Sequence, residues 1–124
     1  MLLANGQQEQ AHDVVNEGLK EVANGGQYWM EPELHRIRGC IYESMDPTDK
    51  RAEQCYRQAL ELSQKHGHIM YQLRSVVSLA VILRKQNLSE EAIRIIELAV
   101  DITDDGADCK DIQDYNELRR EFDL

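Results

Sequence analysis

The sequence predicts an all-α protein in which antiparallel pairs of helices stack side by side. Glu, Gln, Leu, Ala, Lys and Arg dominate its 124 residues, and these residue types favour helices. A segment with helical periodicity recurs three times, and turn-forming residues separate the copies. With 42% hydrophobic residues and only two prolines, the chain fits one globular domain spanning residues 1–124.

The recurring segment has a small residue, an apolar residue four positions later, and a second small residue three positions after that. Offsets of four and three place these residues on one face of a helix, where small side chains let a neighbouring helix approach closely. Successive copies begin 41 and then 40 residues apart. The three sets are Ala11, Val15 and Gly18; Ala52, Tyr56 and Ala59; and Ala92, Ile96 and Ala99, within segments 11–22, 52–63 and 92–103.

A partner helix is predicted before each of the two later copies, at Pro32–Met45 and at Tyr71–Gln86. Both segments repeat apolar residues at helical spacing, so each partner and the copy that follows it form a helix pair. A turn containing glycine is expected to end each pair, because glycine adopts the left-handed conformation that closes many helices. These turns lie at 24–26, 65–68 and 104–108.

Residues that start helices lie between each partner and its copy. Asp46 is expected as the N-cap of the second copy, with Pro47 at the first helical position and Asp49 in the first turn. Ser89 is expected as the N-cap of the third copy, followed by two glutamates at the positive end of the helix dipole.

The combined pattern resembles the tetratricopeptide repeat. Gly39 and Tyr42 supply the Gly-x2-Tyr of its first helix, and the Ala triples supply its second helix. The sequence departs from that pattern at Arg38, where the repeat usually has Leu, and in its period of about 40 rather than about 34 residues. The resemblance implies a right-handed superhelix of antiparallel pairs, with a truncated first repeat at 1–25, full repeats at 26–66 and 67–106, and a capping helix at 107–124.

Longer stretches resemble the C-terminal repeat region of bacterial multidomain signalling regulators. The stretches are YWMEPELHRIRG, RAEQCYRQALELSQKHG and YQLRSVVSLAVILRKQ. Such regulators carry an NTPase module, often behind a nucleotide-cyclase or a winged-helix DNA-binding domain. The resemblance implies a non-catalytic protein–protein interaction or sensor module that acts on an upstream effector domain of the same parent chain. The alternative is a free-standing small tetratricopeptide adaptor. We favour the regulator, because only MLLA precedes the first helix where its partner helix is expected.

The sequence contains no motif that predicts an enzyme. It has no phosphate-binding glycine loop, nucleophile elbow or HExxH motif, and we expect neither cofactor nor metal. His66 and His68 lack a third ligand at helical spacing, and the calcium-like segment 101–112 ends in Ile112 where such loops need Glu. His35 is expected to be a packed, hydrogen-bonded residue, and Cys40 a buried thiol.

Charge and hydropathy limit the partners and the location of the protein. The net charge is −9, and residues 97–124 hold ten acids against three bases. Such a surface is repelled by phosphate backbones and anionic lipids, so we expect no direct binding to nucleic acid or membrane. The longest apolar run, Ser75–Leu83, is about half of a membrane span, and the N-terminus lacks the basic start of a signal peptide. The three cysteines show no CxxC spacing, so a cytoplasmic protein with reduced thiols is expected.

The candidate binding surface is the concave face, which the first helix of each pair lines in stacked helical repeats. A protein or peptide is the expected partner, and the arginines of this face suit an acidic segment of it. The alternative is that these arginines are solvated surface charges. The candidate residues are Glu33, Arg36, Cys40, Glu43, Arg74, Val77, Val81 and Arg84.

The N-terminal helix, predicted from about Gln7 to Val22, lacks a polar cap on its outer side. Part of its apolar stripe, near Ala11 and Val15, is therefore expected to face water. Isolated chains are expected to cover that face by pairing end to end, most simply as a two-fold homodimer. Without such pairing, residues 1–22 should fray.

Overall fold

The computed structural model describes residues 5–25, 30–99 and 109–124, with side chains from Glu9 onward. Within these ranges the chain forms six α-helices and no strand, which confirms the predicted all-α class. None of the helices in these ranges is long and apolar enough to cross a membrane. The helices are α1 (Asn5–Ala23), α2 (Glu31–Met45), α3 (Lys50–His66), α4 (Ile69–Lys85), α5 (Ser89–Glu97) and α6 (Lys110–Glu121).

Helices α1 to α4 each pack on the next helix in the chain, and α4 also contacts α2 and α6. Gly39 faces Tyr56 and Tyr42 faces Arg51, so α3 runs antiparallel to α2. Ion pairs join the alternate helices in the same order along both partners, which makes α2, α4 and α6 parallel. These pairs are Glu33–Arg74 and Glu43–Lys85 between α2 and α4, and Arg74–Asp111 and Arg84–Glu121 between α4 and α6.

The periodic residues of the second and third copies form the interior. Tyr56 and Ile96, the large residues of the two sets, are fully buried in a core that extends across α2 to α6. The small residues on either side of them have no exposed surface, which confirms the predicted burial of these positions, although Ala99 lies in the turn after α5. Those small residues are Ala52, Ala59, Ala92 and Ala99.

The end of α1 that was expected to face water is instead packed on α2. Val15 is only 3% exposed, because it lies in a small cluster with Leu34 and Ile41 of α2. The expectation that Val15 faces water is therefore wrong, and Ala11 is half-buried beside the same cluster. The end-to-end homodimer stays a prediction, with Val14 (69% exposed) as the apolar residue of α1 available to it.

Two predicted N-caps are wrong, and local hydrogen bonds explain the first. Asp46 accepts hydrogen bonds from the backbone N–H and the hydroxyl of Thr48, which closes a turn after α2. Pro47 lies in that turn, and Asp49 is the N-cap of α3, where it accepts from the N–H of Arg51. Ser89 is the first residue of α5 and not its cap, since Leu88 occupies the cap position without a side-chain hydrogen bond.

The glycine turns are confirmed where the structure describes them. Gly67 caps α3 with a φ of 70°, and Gly25 follows α1 with a φ of 89°. Both angles are left-handed, a conformation that glycine adopts without steric cost. Helix α5 ends at Glu97, before the predicted segment ends at 103. The turn predicted at 104–108 lies outside the described residues.

Candidate functional site

The eight candidate residues lie on two neighbouring parallel helices, α2 and α4. Glu33 and Cys40 are buried, and the other six are half-buried. Val77 and Val81 pack against the main core with one side, so neither is a free apolar surface. The site therefore consists of an apolar floor on α4 and charged side chains on both helices.

A cavity of about 320 Å³ opens between α2, α4 and the start of α6, and we call it the α4 groove. This volume is at the lower end of the range for ligand sites in proteins. Of the predicted residues, the groove brings together Arg36, Arg74 and Val77. The other residues that line it are Ser78, Lys110, Asp111 and Asp114.

Glu33 is the buried centre of the charges on one wall. Glu33 as a whole is only 5% exposed, and Arg36 donates to both of its carboxylate oxygens, with Nε 3.0 Å from Oε2. Arg74 reaches it from α4, with Nη1 3.5 Å from Oε1. Burial opposes the charge on Arg36, but the hydrogen bonds and charge of Glu33 raise the pKa of Arg36 above its ordinary value. A buried carboxylate requires such partners, so Arg36 is needed for the fold as well as for any binding.

Arg74 holds α6 against α4. Its Nε lies 3.0 Å from Oδ1 and 3.1 Å from Oδ2 of Asp111, and this hydrogen bond is the main cause of the raised pKa of Arg74. At the other end of the two helices, Arg84 lies 3.0 Å from Glu121 at an exposed position. Exposed pairs of this kind add little stability, so Arg74–Asp111 is the more important contact.

Each candidate arginine thus has a carboxylate partner within the chain. An external carboxylate must therefore exchange with an internal one or bind to donors that remain accessible. Lys110, at the mouth of the groove, is the most accessible of these donors: its side chain is 84% exposed and its partner Asp114 lies 3.2 Å away. Lys110 and the outer edge of Arg74 are therefore where an incoming anion makes its first contact.

Sequence reasoning missed the contribution of α6, whose residues Lys110, Asp111 and Asp114 form one wall of the groove. A signal for it exists in the sequence. Asp111 follows Arg74 by 37 residues, and Glu121 follows Arg84 by the same interval, which is close to the repeat period. The corresponding intervals between α2 and α4 are 41 and 42 residues, and α6 runs parallel to both helices.

The remaining candidates form no recognisable site. His66 and His68 have ring centroids 6.1 Å apart, and the part of the chain that the structure describes holds no group of three side chains suited to a metal. Segment 101–108 of the calcium-like sequence lies outside the described residues. Burial lowers the pKa of the half-buried His35 below its ordinary value, as expected for a packed histidine. Cys40 is a free, buried thiol.

No family model, curated protein or solved structure matches this chain. Its function is therefore inferred from the α4 groove and from the sequence pattern.

Proposed function

We propose that the protein is a non-catalytic protein–protein interaction or sensor module built as a tetratricopeptide-like superhelix. Two features support this architecture. Helices α2, α4 and α6 run parallel with ion pairs at intervals of 41, 42 and 37 residues, as expected of the first helices of successive pairs. Fully buried alanines on α3 and α5 give the close helix contacts that the repeat requires.

The observation that carries the binding proposal is the α4 groove, which lies on the side of the stack formed by those parallel helices. Its floor at Val77 is apolar, and its mouth presents Lys110 and the half-exposed Arg74. An acidic segment of a partner protein fits this arrangement, because its carboxylate meets Lys110 and Arg74 while an apolar neighbour covers Val77.

In a cytoplasmic regulator of the bacterial type that the sequence resembles, binding in this groove would be transmitted to an upstream effector domain. The Arg74–Asp111 contact supports such coupling, since a ligand carboxylate on Arg74 competes with the contact that holds α6. The coding sequence upstream of Met1 tests this part directly: an NTPase module in the same reading frame supports the regulator, and a stop codon favours an adaptor.

The groove is tested with a fluorescein-labelled polyglutamate peptide, whose binding is followed by fluorescence anisotropy. Lys110→Glu should weaken binding about fivefold, because it reverses the most exposed charge of the groove. Lys50→Glu is the matched control, since Lys50 is also an exposed first residue of a helix but lies on α3, outside the groove lining. Reversing the charge at Arg36 is less informative, because this change also leaves the buried Glu33 without its main hydrogen-bond partner.

Equal affinities of Lys110→Glu and Lys50→Glu, or no binding at millimolar peptide, would contradict the groove as an acidic-segment site. Raising the salt concentration should weaken the wild-type complex, since Lys110 and Arg74 are accessible to screening ions. A benzoylphenylalanine introduced at Ser78, inside the groove, then identifies the physiological partner by photo-crosslinking. The same group at the exposed Gln58 of α3 reports background crosslinking.

A further inference from the structure

Arg38 of α2 is a half-buried arginine whose Nε has no hydrogen-bond partner among the described residues. Its Nε is buried and has no hydrogen-bond acceptor, and among the described residues no carboxylate lies within ion-pair distance of its guanidinium. Arg36 and Arg74, the other half-buried arginines near the middle of the stack, both have carboxylate partners. Leaving a guanidinium half-buried and unpaired costs stability, so this position is costly for the fold alone.

The aromatic contact of Arg38 does not replace a carboxylate. Its guanidinium carbon lies 6.0 Å from the ring centroid of Tyr42, at the outer limit of a cation–π contact. Arg51 occupies the closer position on the same ring, at 4.3 Å. The Nη groups of Arg38, which unlike Nε are not buried, therefore have donors that no described acceptor occupies and that can bind an oxyanion.

Arg38 lines a second cavity of about 710 Å³, which we call the α1 groove. His12 faces Tyr42 and Gly18 faces Leu34, so Arg38 lies beside the middle of α1. The other residues lining this groove all belong to α1: Asp13, Asn16, Glu17, Leu19, Lys20 and Ala23.

The charges of the α1 groove select a ligand of mixed charge. Asp13 and Glu17 are exposed carboxylates one helical turn apart, and Lys20 lies about 10 Å along the axis from Asp13. A purely anionic ligand is repelled by the two acids, and a purely cationic one is repelled by Arg38 and Lys20. A segment with a basic and an acidic side chain one turn apart offers a partner to both signs of charge in the groove.

We propose that the α1 groove is a second binding site, which takes a polypeptide segment carrying a lysine or arginine and a carboxylate about one helical turn apart. The carboxylate binds Arg38, with Lys20 at the rim, and the basic side chain binds Asp13 and Glu17. The site is separate from the α4 groove, because the two cavities share no lining residue.

The test uses labelled alanine-based helical peptides that carry lysine and glutamate four residues apart, two lysines, or two glutamates at the same positions. We expect the mixed peptide to bind, with the other two about tenfold weaker. Arg38→Gln should weaken the mixed peptide about tenfold. Lys110→Glu, which changes only the α4 groove, should leave the preference for the mixed peptide over the other two unchanged, and so separates the two binding sites.

A charge-swapped variant keeps the test decisive even if Arg38→Gln fails to fold. Asp13 and Glu17 are both exposed, so Asp13→Lys with Glu17→Lys should fold normally. Its preference should change from the mixed peptide to the two-glutamate peptide. The proposal is overturned if the mixed peptide does not bind at millimolar concentration, if all three peptides bind equally, or if the charge-swapped variant keeps the wild-type preference.

Discussion

Gly39 of α2 lies where helix α3 approaches most closely, so Gly39→Ala tests the packing directly. A Cβ at this position would lie 2.6 Å from Cε1 and 2.8 Å from Cδ1 of Tyr56, and 3.1 Å from the carbonyl oxygen of Ala52. The Tyr56 ring is only 1% exposed and cannot turn away freely. Its hydroxyl also donates to Oε1 of Glu43 at 2.8 Å, which holds the ring from its other end.

The net effect of Gly39→Ala follows from opposing contributions. Alanine in place of glycine stabilises a helix interior by about 1 kcal/mol. Overpacking a buried contact costs about 1–3 kcal/mol, and displacing the ring also weakens a hydrogen bond to a carboxylate worth about 1.5–3 kcal/mol. We therefore expect Gly39→Ala to lower the free energy of unfolding by about 1–3 kcal/mol.

Gly18→Ala in α1 is the matched control. Its Cβ would lie 3.0 Å from Cδ1 of Leu34, the flexible end of a side chain that can move by a few tenths of an ångström. The higher helix propensity of alanine over glycine is then the main effect, so Gly18→Ala should be neutral or stabilising by up to about 1 kcal/mol. Urea denaturation followed by circular dichroism gives both values.

A double-mutant cycle with Tyr56→Leu identifies the clash as the cause. In the Tyr56→Leu background, Gly39→Ala should cost at least about 1 kcal/mol less than in the wild type, because the aromatic ring is gone. A Gly39→Ala protein as stable as the Gly18→Ala protein, or a cycle with no coupling, would refute the close approach of α2 and α3.

Other predictions address the interior, the pH dependence and the end of α5. Ala59→Leu should lower the free energy of unfolding by about 1–3 kcal/mol, because Ala59 has no exposed surface; an unchanged urea midpoint would contradict its close contact. Burial lowers the pKa of His35 below its ordinary value of 6.5, so protons bind the unfolded chain more readily. The stability from neutral His35 is complete above that pH and is lost as the pH falls through the lower pKa of the folded protein. His35→Gln should therefore flatten the fall in stability below pH 6.5, and an unchanged slope in that range would contradict the burial of His35. Tyr115→Phe removes the donor to the carbonyl of Ile96; it should cost about 1 kcal/mol and speed hydrogen exchange at the end of α5, and unchanged exchange there would argue against that bond.

The buried face of α3 was predictable because the spacing of its small and apolar residues follows the period of a helix. Ala52, Tyr56 and Ala59 repeat at offsets of four and three, and only one face of a helix can satisfy that spacing. The start of α3 was less predictable, since Asp46 and Asp49 are both good N-caps. N-cap propensity alone does not rank the two aspartates. The turn through Pro47 makes Asp49 the cap, because it holds the side chain of Asp46 in hydrogen bonds with Thr48.

The α4 groove was predictable on two of its three sides. Helical spacing placed Arg36 of α2, and Arg74 and Val77 of α4, on the faces expected to line the concave surface. The repeat placed α2 and α4 side by side. The third side is formed by α6, and its position depends on how that helix packs against α4. The acid-rich sequence of α6 is equally compatible with a helix that is solvated on all sides. Only the match of Arg74 to Asp111 across 37 residues distinguishes the docked arrangement.

The α4 groove also contains pairs that differ in their response to salt, and this difference separates binding from folding. Lys110–Asp114 is exposed, so added salt screens the charge of Lys110 and weakens its attraction to an incoming carboxylate. Glu33 is buried between Arg36 and Arg74 and is screened much less, so it keeps the groove in shape under the same conditions. Moderate salt should therefore change the affinity for an acidic segment before it changes the free energy of unfolding. If both quantities fell together as salt was raised, the exposed pairs would be holding α6 in place, and the groove would not be a preformed site.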